Sequence, residues 1–208
     1  MTKVALLAGG DYSPPMGDFD FYIGIDRGAL RLLENGFALD WAVGDFDSIS
    51  EEEMAKIMSS GARIHQSPSE KDDTDTELAL KLLFKTYPLA QATVFGAFGG
   101  RVDHFLSNVF LPSDPDLQPY MRQLHLANET NFISYFPAGE HTFEAHPEMA
   151  YLAFMTDEEA ELTILGAKYE LTAANYFKKK IYSSNEAIGK PITLSVSSGY
   201  VVVVESKD

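Results

Sequence analysis

From residue 3 to about residue 111, short apolar runs alternate with stretches whose apolar side chains recur every three or four positions. Strands separated by helix-length crossovers pair in parallel and are covered by helices, so this half is expected to be a three-layer α/β domain with a mainly parallel sheet. "KVALLAGG" and "FDFYIGID" read as the first two strands, and "RGALRLLENG" as a helix with Gly36 at its C-terminal cap. "DWAVG" is a third strand. Ser50 precedes Glu53 by three, a capping-box spacing, so "SEEEMAKIMSSG" is the next helix. "ARIHQ" and "ATVFGAFGG" are further strands, with "TDTELALKLLFKT" and "VDHFLSNVFL" as helices. In open sheets of this kind ligands gather beyond the carboxyl ends of the strands.

"LPSDPDLQP" then breaks the pattern with three prolines, which places a boundary near residues 112 to 120 and predicts domains over 1–115 and 120–208. Downstream, "RQLHLAN", "TNFISYFP", "EHTFEA", "MAYLAFMT", "AELTILG", "AKYELT", "PITLSVSS" and "YVVVVES" are short alternating or β-branched runs. They predict an all-β sandwich.

Sixteen Lys and Arg against 31 Asp and Glu give a formal charge of -15, the wrong sign for a nucleic-acid backbone. Zero cysteines exclude disulfides and thiolate metal sites, so a metal would sit on oxygen or imidazole. No apolar run approaches the roughly 20 residues of a spanning helix, and the apolar block at the start is too short for a signal peptide, so a cytoplasmic protein without membrane contact is expected.

Four polar groups follow strand ends: "IDRGA" (Asp26, Arg27, Gly28), "GDFDS" (Asp45, Asp47, Ser48), "EKDDTD" (Lys71, Asp72, Asp73, Asp75) and "GAFGGRVDH" (Gly96, Gly99, Gly100, Arg101, Asp103, His104). In an extended segment, residues two apart point the same way, so Asp45 and Asp47 would crowd one point. A Mg²⁺ suits that crowding, because it takes one or two carboxylates together with phosphate oxygens and water. A solvated turn is the alternative for the pair, and a helix N-cap is the alternative for Asp75 and Asp103. Glycines at 44, 96, 99 and 100 allow close backbone approach to phosphate, and Lys71, Arg27 and Arg101 add cations. Carboxylates for a metal and cations for phosphates together suit a metal-nucleoside triphosphate. No P-loop and no dinucleotide-binding glycine motif is present.

Taken in order, "DRGA", "VGDFDS", "KDDTD" and "GGRVDH", with "SNE" and "ITLSVSSG" near the end, resemble the bacterial thiamin pyrophosphokinase family over nearly the whole chain. The resemblance implies a Rossmann-like nucleotide-binding catalytic domain, a thiamine-binding β-sandwich, and a homodimer with active sites between subunits. It implies transfer of a pyrophosphoryl group from ATP to the hydroxyl of thiamine, giving thiamine diphosphate and AMP. By position, Asp45, Asp47 and Asp75 would hold Mg²⁺ and, with Asp103, form the catalytic set. Arg27, Lys71, Asp72, Gly99, Gly100 and Arg101 would face the nucleotide; Asp26, Ser184 and Asn185 would contact substrate. The chain departs from the family in having Ala187 and Ile188 where relatives often carry an aromatic after the "SN" pair. The competing readings are a Mg²⁺-dependent phosphohydrolase using the Asp-x-Asp pair and a nucleotide-binding module without catalysis.

Overall fold

The computed structural model describes residues 1–156 and 160–208. It forms two compact units, 1–129 and 130–208. The first contains β1 (Lys3–Leu7), β2 (Phe21–Ile25), α1 (Arg27–Glu34), β3 (Trp41–Gly44), α2 (Glu51–Ser59), β4 (Arg63–Gln66), α3 (Asp75–Thr86), β5 (Gln91–Phe95), α4 (Val102–Val109) and β6 (Leu124–Ala127). Its strands lie in the order β6-β5-β1-β2-β3-β4, and all five pairings among them are parallel. Val4, Ala5, Leu6 and Leu7 of β1 are wholly buried, a continuous apolar run of the kind expected of a strand covered on both faces.

The compact units divide between Glu129 and Thr130, later than the proline-rich stretch where the sequence places the boundary. Pro112 and Pro119 sit at the starts of two short 3₁₀ turns, Leu111–Ser113 and Gln118–Gln123, where a missing N–H costs nothing. The second turn is tied down: Gln123 Nε2 donates to the carbonyls of Pro88 and Ala90 at 2.9 and 2.8 Å, and Tyr120 stacks on Phe84 at 4.4 Å. "LHLA" then becomes β6, parallel to β5, and so belongs to the α/β sheet rather than to the β-rich half.

The second unit contains β7 (Asn131–Phe143), β8 (Tyr151–Thr156), β9 (Leu162–Leu165), β10 (Ile181–Glu186) and β11 (Ile192–Ser206). "TNFISYFP" with "EHTFEA" forms one long strand, and so does "PITLSVSS" with "YVVVVES". β11 runs antiparallel along β7 for its whole length, with a register shift between Val196 and Tyr200. Before the shift it pairs with β9, and after it with β8. Both halves feed one apolar cluster, Ile192, Leu194 and Val196 from the first and Val201 and Val203 from the second. "AKYELT" contributes isolated bridges rather than a strand. β10 escapes the hydrophobic pattern because "IYSSNE" is mostly polar.

Gly28, in the first turn of α1, lies against the end of β1. A Cβ there would stand 1.8 Å from the Leu7 carbonyl oxygen, a backbone atom that cannot swing away. Gly28→Ala is therefore expected to cost about 3 kcal/mol, the upper part of the usual overpacking range. A thermal or urea melt equal to that of the wild type would contradict this packing.

Candidate functional site

β1 has β2 on one side and β5 on the other, and the chain leaves β1 towards β2 but leaves β5 towards β6. Loops departing in opposite directions open a crevice beyond the carboxyl ends of the strands. The crevice here encloses about 460 Å³. Its walls include Gly9 and Gly10 after β1, Asp26 and Arg27 after β2, the start of α3 with Thr74 and Asp75, and the loop 96–101 after β5. Backbone bonds from Gly10 to Gly96 (2.9 Å) and from Asp11 to Phe98 (2.8 Å) tie the two glycine loops together.

Carboxylates converge at the β2, β3 and α3 side. Lys71 Nζ lies 3.0 Å from Asp75 Oδ1 and 3.9 Å from Asp45 Oδ2, and donates to the Pro68 carbonyl at 3.1 Å. Ser67 Oγ donates to Asp75 Oδ1 at 3.1 Å. Asp26 has φ 48°, a region that non-glycine residues seldom enter. Its Oδ1 is buried without a hydrogen-bond partner. Burial, and next the charge of Asp75, push the Asp26 carboxyl up to about 6, while a backbone hydrogen bond from Phe46 pulls the other way. Gly44 accommodates this carboxylate: a Cβ at Gly44 would meet Asp26 Oδ1 at 1.9 Å, so the glycine serves close packing rather than a phosphate.

The Asp-x-Asp segment is not extended. Phe46 turns the chain with φ 59°, and Asp45 Oδ1 accepts the Asp47 N–H at 3.1 Å. The two side chains thus have different surroundings: Asp45 joins the cluster around Lys71, whereas Asp47 is exposed. Among the described residues, no three carboxylates or imidazoles are grouped to hold a metal. The N-cap alternative for Asp75 fails, because Thr74 caps α3 in a reciprocal box with Glu77 and leaves Asp75 at the first helical position. There its charge is favoured by the helix dipole. Asp103 is likewise not the cap of α4; that position belongs to Arg101.

Gly99, Gly100 and Arg101 line the crevice. Arg101 is paired with Asp103, Nη2 to Oδ2 at 2.5 Å, and both are exposed. Arg27 donates to the Ser48 carbonyl at 2.6 Å and faces Glu53 at 3.6 Å. Asp72 is exposed and outside the lining. Sequence reasoning missed Gly9, Gly10, Thr74 and Asn108, which all line the crevice. The glycine doublet closing β1 was the available signal; Asn108 had none, since it enters by the helical turn that lets its Nδ2 reach the Ala97 carbonyl at 3.0 Å.

The second unit holds its own pocket of about 1020 Å³ between residues 164 and 188. Ser184 and Asn185 both line it. A bulge between Tyr182 and Asn185, with Ser184 at φ 61°, turns Asn185 inward. The Asn185 amide donates to the Tyr169 carbonyl at 2.8 Å and accepts the Tyr169 N–H at 2.9 Å, standing in for a neighbouring strand. Asn185 is therefore buried and engaged with the pocket wall, while Ser184 is exposed.

The family model "Thiamin pyrophosphokinase, catalytic domain" matches residues 16–118, and "Thiamin pyrophosphokinase, vitamin B1 binding domain" matches 140–201. Thiamine pyrophosphokinase of Bacillus subtilis is 32% identical over 221 aligned residues, covering all of both chains. The crystal structure of a thiamin pyrophosphokinase family protein from Enterococcus faecalis is 40% identical with a TM-score of 0.93, again over all of both chains. The thiamin pyrophosphokinase structure from Candida albicans shares the fold (TM-score 0.82, 99% of this chain and 89% of that one) at 16% identity.

In protein freed of divalent metal by a chelator, Asp26→Asn is expected to raise the melting temperature at about pH 7.5. The folded-state carboxyl, at about 6, lies above its ordinary 3.8, so the wild type loses stability as pH rises through that window. The advantage of the variant should shrink as pH falls towards 4. Melts across this range that show no gain at neutral pH would refute the crowding of Asp26.

Proposed function

The chain belongs to the thiamin pyrophosphokinase family, and we infer that it transfers a pyrophosphoryl group from ATP to the hydroxyl of thiamine, releasing AMP. The observation that carries this reading is the fall of the two family models on the two compact units, each with its own pocket. The first unit is read as a Rossmann-like ATP domain and the second as a sandwich that takes the vitamin.

Magnesium fits the donor set. A Mg²⁺ arriving on a triphosphate needs only one or two protein carboxylates, so no three-ligand cage is required. Asp26, Asp45 and Asp75 offer hard oxygens, one of them orphaned and buried, and their mutual repulsion favours a further cation. When bound, the ion would stabilise charge on the phosphate oxygens. Asp47, at the exposed end of the same turn, stands close enough in sequence to join through water.

Displacement at the β-phosphorus spreads negative charge over non-bridging oxygens, so the protein contributes mostly alignment and positive charge. Lys71 is held by Asp75 and Asp45 at the carboxyl ends of the strands, where phosphates would approach. Arg27 is fixed by the Ser48 carbonyl. The glycine loops after β1 and β5 let backbone N–H groups come near the phosphates. Arg101 reaches phosphate by leaving Asp103, an exposed partner that holds it weakly. Exposed apolar side chains, Tyr169, Phe177, Ile181 and Ile188, rim the second pocket. They support a homodimer in which a neighbouring copy closes that pocket over thiamine.

Incubation with MgATP and thiamine is expected to yield AMP and thiamine diphosphate by mass spectrometry. Orthophosphate release from ATP without thiamine would instead point to a hydrolase. Asp75→Asn should lower kcat by about 100-fold or more while leaving the circular dichroism spectrum unchanged. Mixing Asp75→Asn with a variant crippled in the second pocket should restore part of the activity if sites form between subunits; no recovery would refute that arrangement.

A further inference from the structure

Lys81 lies on α3 one and a half turns beyond the cleft-lining residues 74–76 and has no place in the site described so far. Its Nζ is surrounded by three carboxylates. Asp73 contacts it through both oxygens, at 2.9 and 3.0 Å; Asp114 Oδ2 is 2.7 Å away and Asp116 Oδ2 3.6 Å. Asp114 is mostly buried, and its other oxygen accepts the Asp116 N–H at 2.7 Å, closing a turn around the ammonium. Burial opposes the charge on Lys81, but the hydrogen bonds it donates to Asp114 and Asp73 outweigh burial and hold the amine well above its usual range. Burial likewise opposes the charge on Asp114, and Lys81 prevails in keeping it ionised.

The three acids come from two places. Asp73 belongs to the loop 67–74, which also carries Lys71 and ends in the Thr74 cap of α3. Asp114 and Asp116 belong to the stretch that follows α4, the helix that starts just after Arg101 and whose Asn108 lines the crevice. One ammonium therefore ties the loop leading into α3 to the stretch that follows α4. Without it, Asp73 and Asp114 would face one another as like charges, and the loop would be driven outward.

We propose that Lys81 is a positioning residue for pyrophosphoryl transfer, setting the loop that carries Lys71 at a fixed distance from the α4 wall. It touches neither nucleotide nor thiamine; it acts through Asp73 on Lys71. The proposal rests on the assignment of this crevice to ATP, so the wild-type assay comes first. Failure of the wild type to make AMP from ATP in the presence of thiamine would strike that assignment and not Lys81.

With an active wild type, Lys81→Met is expected to lower kcat/KM for MgATP by about 10- to 100-fold, the loss associated with displacing a site group by an ångström or less. KM for thiamine should stay within about twofold, because the second pocket is built by other residues. Lys81→Arg should recover most of the loss, since a guanidinium can span the same acids. Asp73→Asn, which leaves Lys81 bound to Asp114, should lower kcat/KM for MgATP in the same direction and guards against a Lys81→Met protein that does not fold. Asp116→Asn, at the exposed member of the trio, should stay within about twofold of wild type. Wild-type kinetics for MgATP in Asp73→Asn, or equal losses towards both substrates in folded Lys81→Met, would overturn the proposal.

Discussion

The first unit is organised around a repulsion that the backbone refuses to relieve. Three carboxylates, Asp26, Asp45 and Asp75, are brought within electrostatic reach of one another, and a lysine is set among them. In an unfolded chain they would separate and hydrate. Here the parallel strands fix their exits: Asp26 follows β2, Asp45 follows β3, and α3 begins at Asp75. The clearest sign of opposition is Asp26, with an unusual backbone angle, an orphaned buried oxygen and an elevated proton affinity together. Groups arranged this way destabilise the empty protein and favour a cationic or metal-bearing guest, which is the usual relation between a binding site and the fold that supports it.

The two units divide the chemistry by their architecture. A parallel sheet gathers loops at one edge, which suits a charged, extended guest such as a triphosphate. The second unit makes its pocket from the connection between β9 and β10, residues 166–180, and from β10 itself. Little regular ladder is present there, so a side chain performs the work of a strand: Asn185 closes two hydrogen bonds with the Tyr169 backbone. The ion pair of Lys168 with Glu186 at 2.6 Å reinforces the same seam.

Elements governed by local periodicity were readable from the residues. The capping box of Ser50 with Glu53 follows the spacing that a helix start requires, whereas Thr74, which caps α3 with Glu77, was missed in favour of Asp75. The strand-end clusters were readable too, because parallel topology sends polar residues to one edge. What escaped were features set by single torsions or distant partners. The left-handed turn at Phe46 cannot be inferred from a bulky aromatic, so Asp45 and Asp47 were expected to point together. β6 was assigned to the wrong half because its partner, β5, lies some thirty residues earlier across a proline-rich stretch. β10 lacks an apolar signature since its inward residue is Asn185, made compatible with burial only by the amide pairing just described. The resemblance in ordered motifs identified the family, which none of these local signals could do alone.

The continuity of β11 has a consequence for how the second unit responds to heat or force. One strand of fifteen residues serves two pairing partners in succession, β9 and then β8, while β7 accompanies it throughout. Neither the β9-paired nor the β8-paired half of β11 can leave β7 without straining the other, because the two share one backbone. Exchange of the β11 amide hydrogens should therefore follow one opening event rather than a graded fraying from one end. The pocket of the second unit meets that frame at Ile164 of β9 and takes its remaining wall from the stretch 167–188.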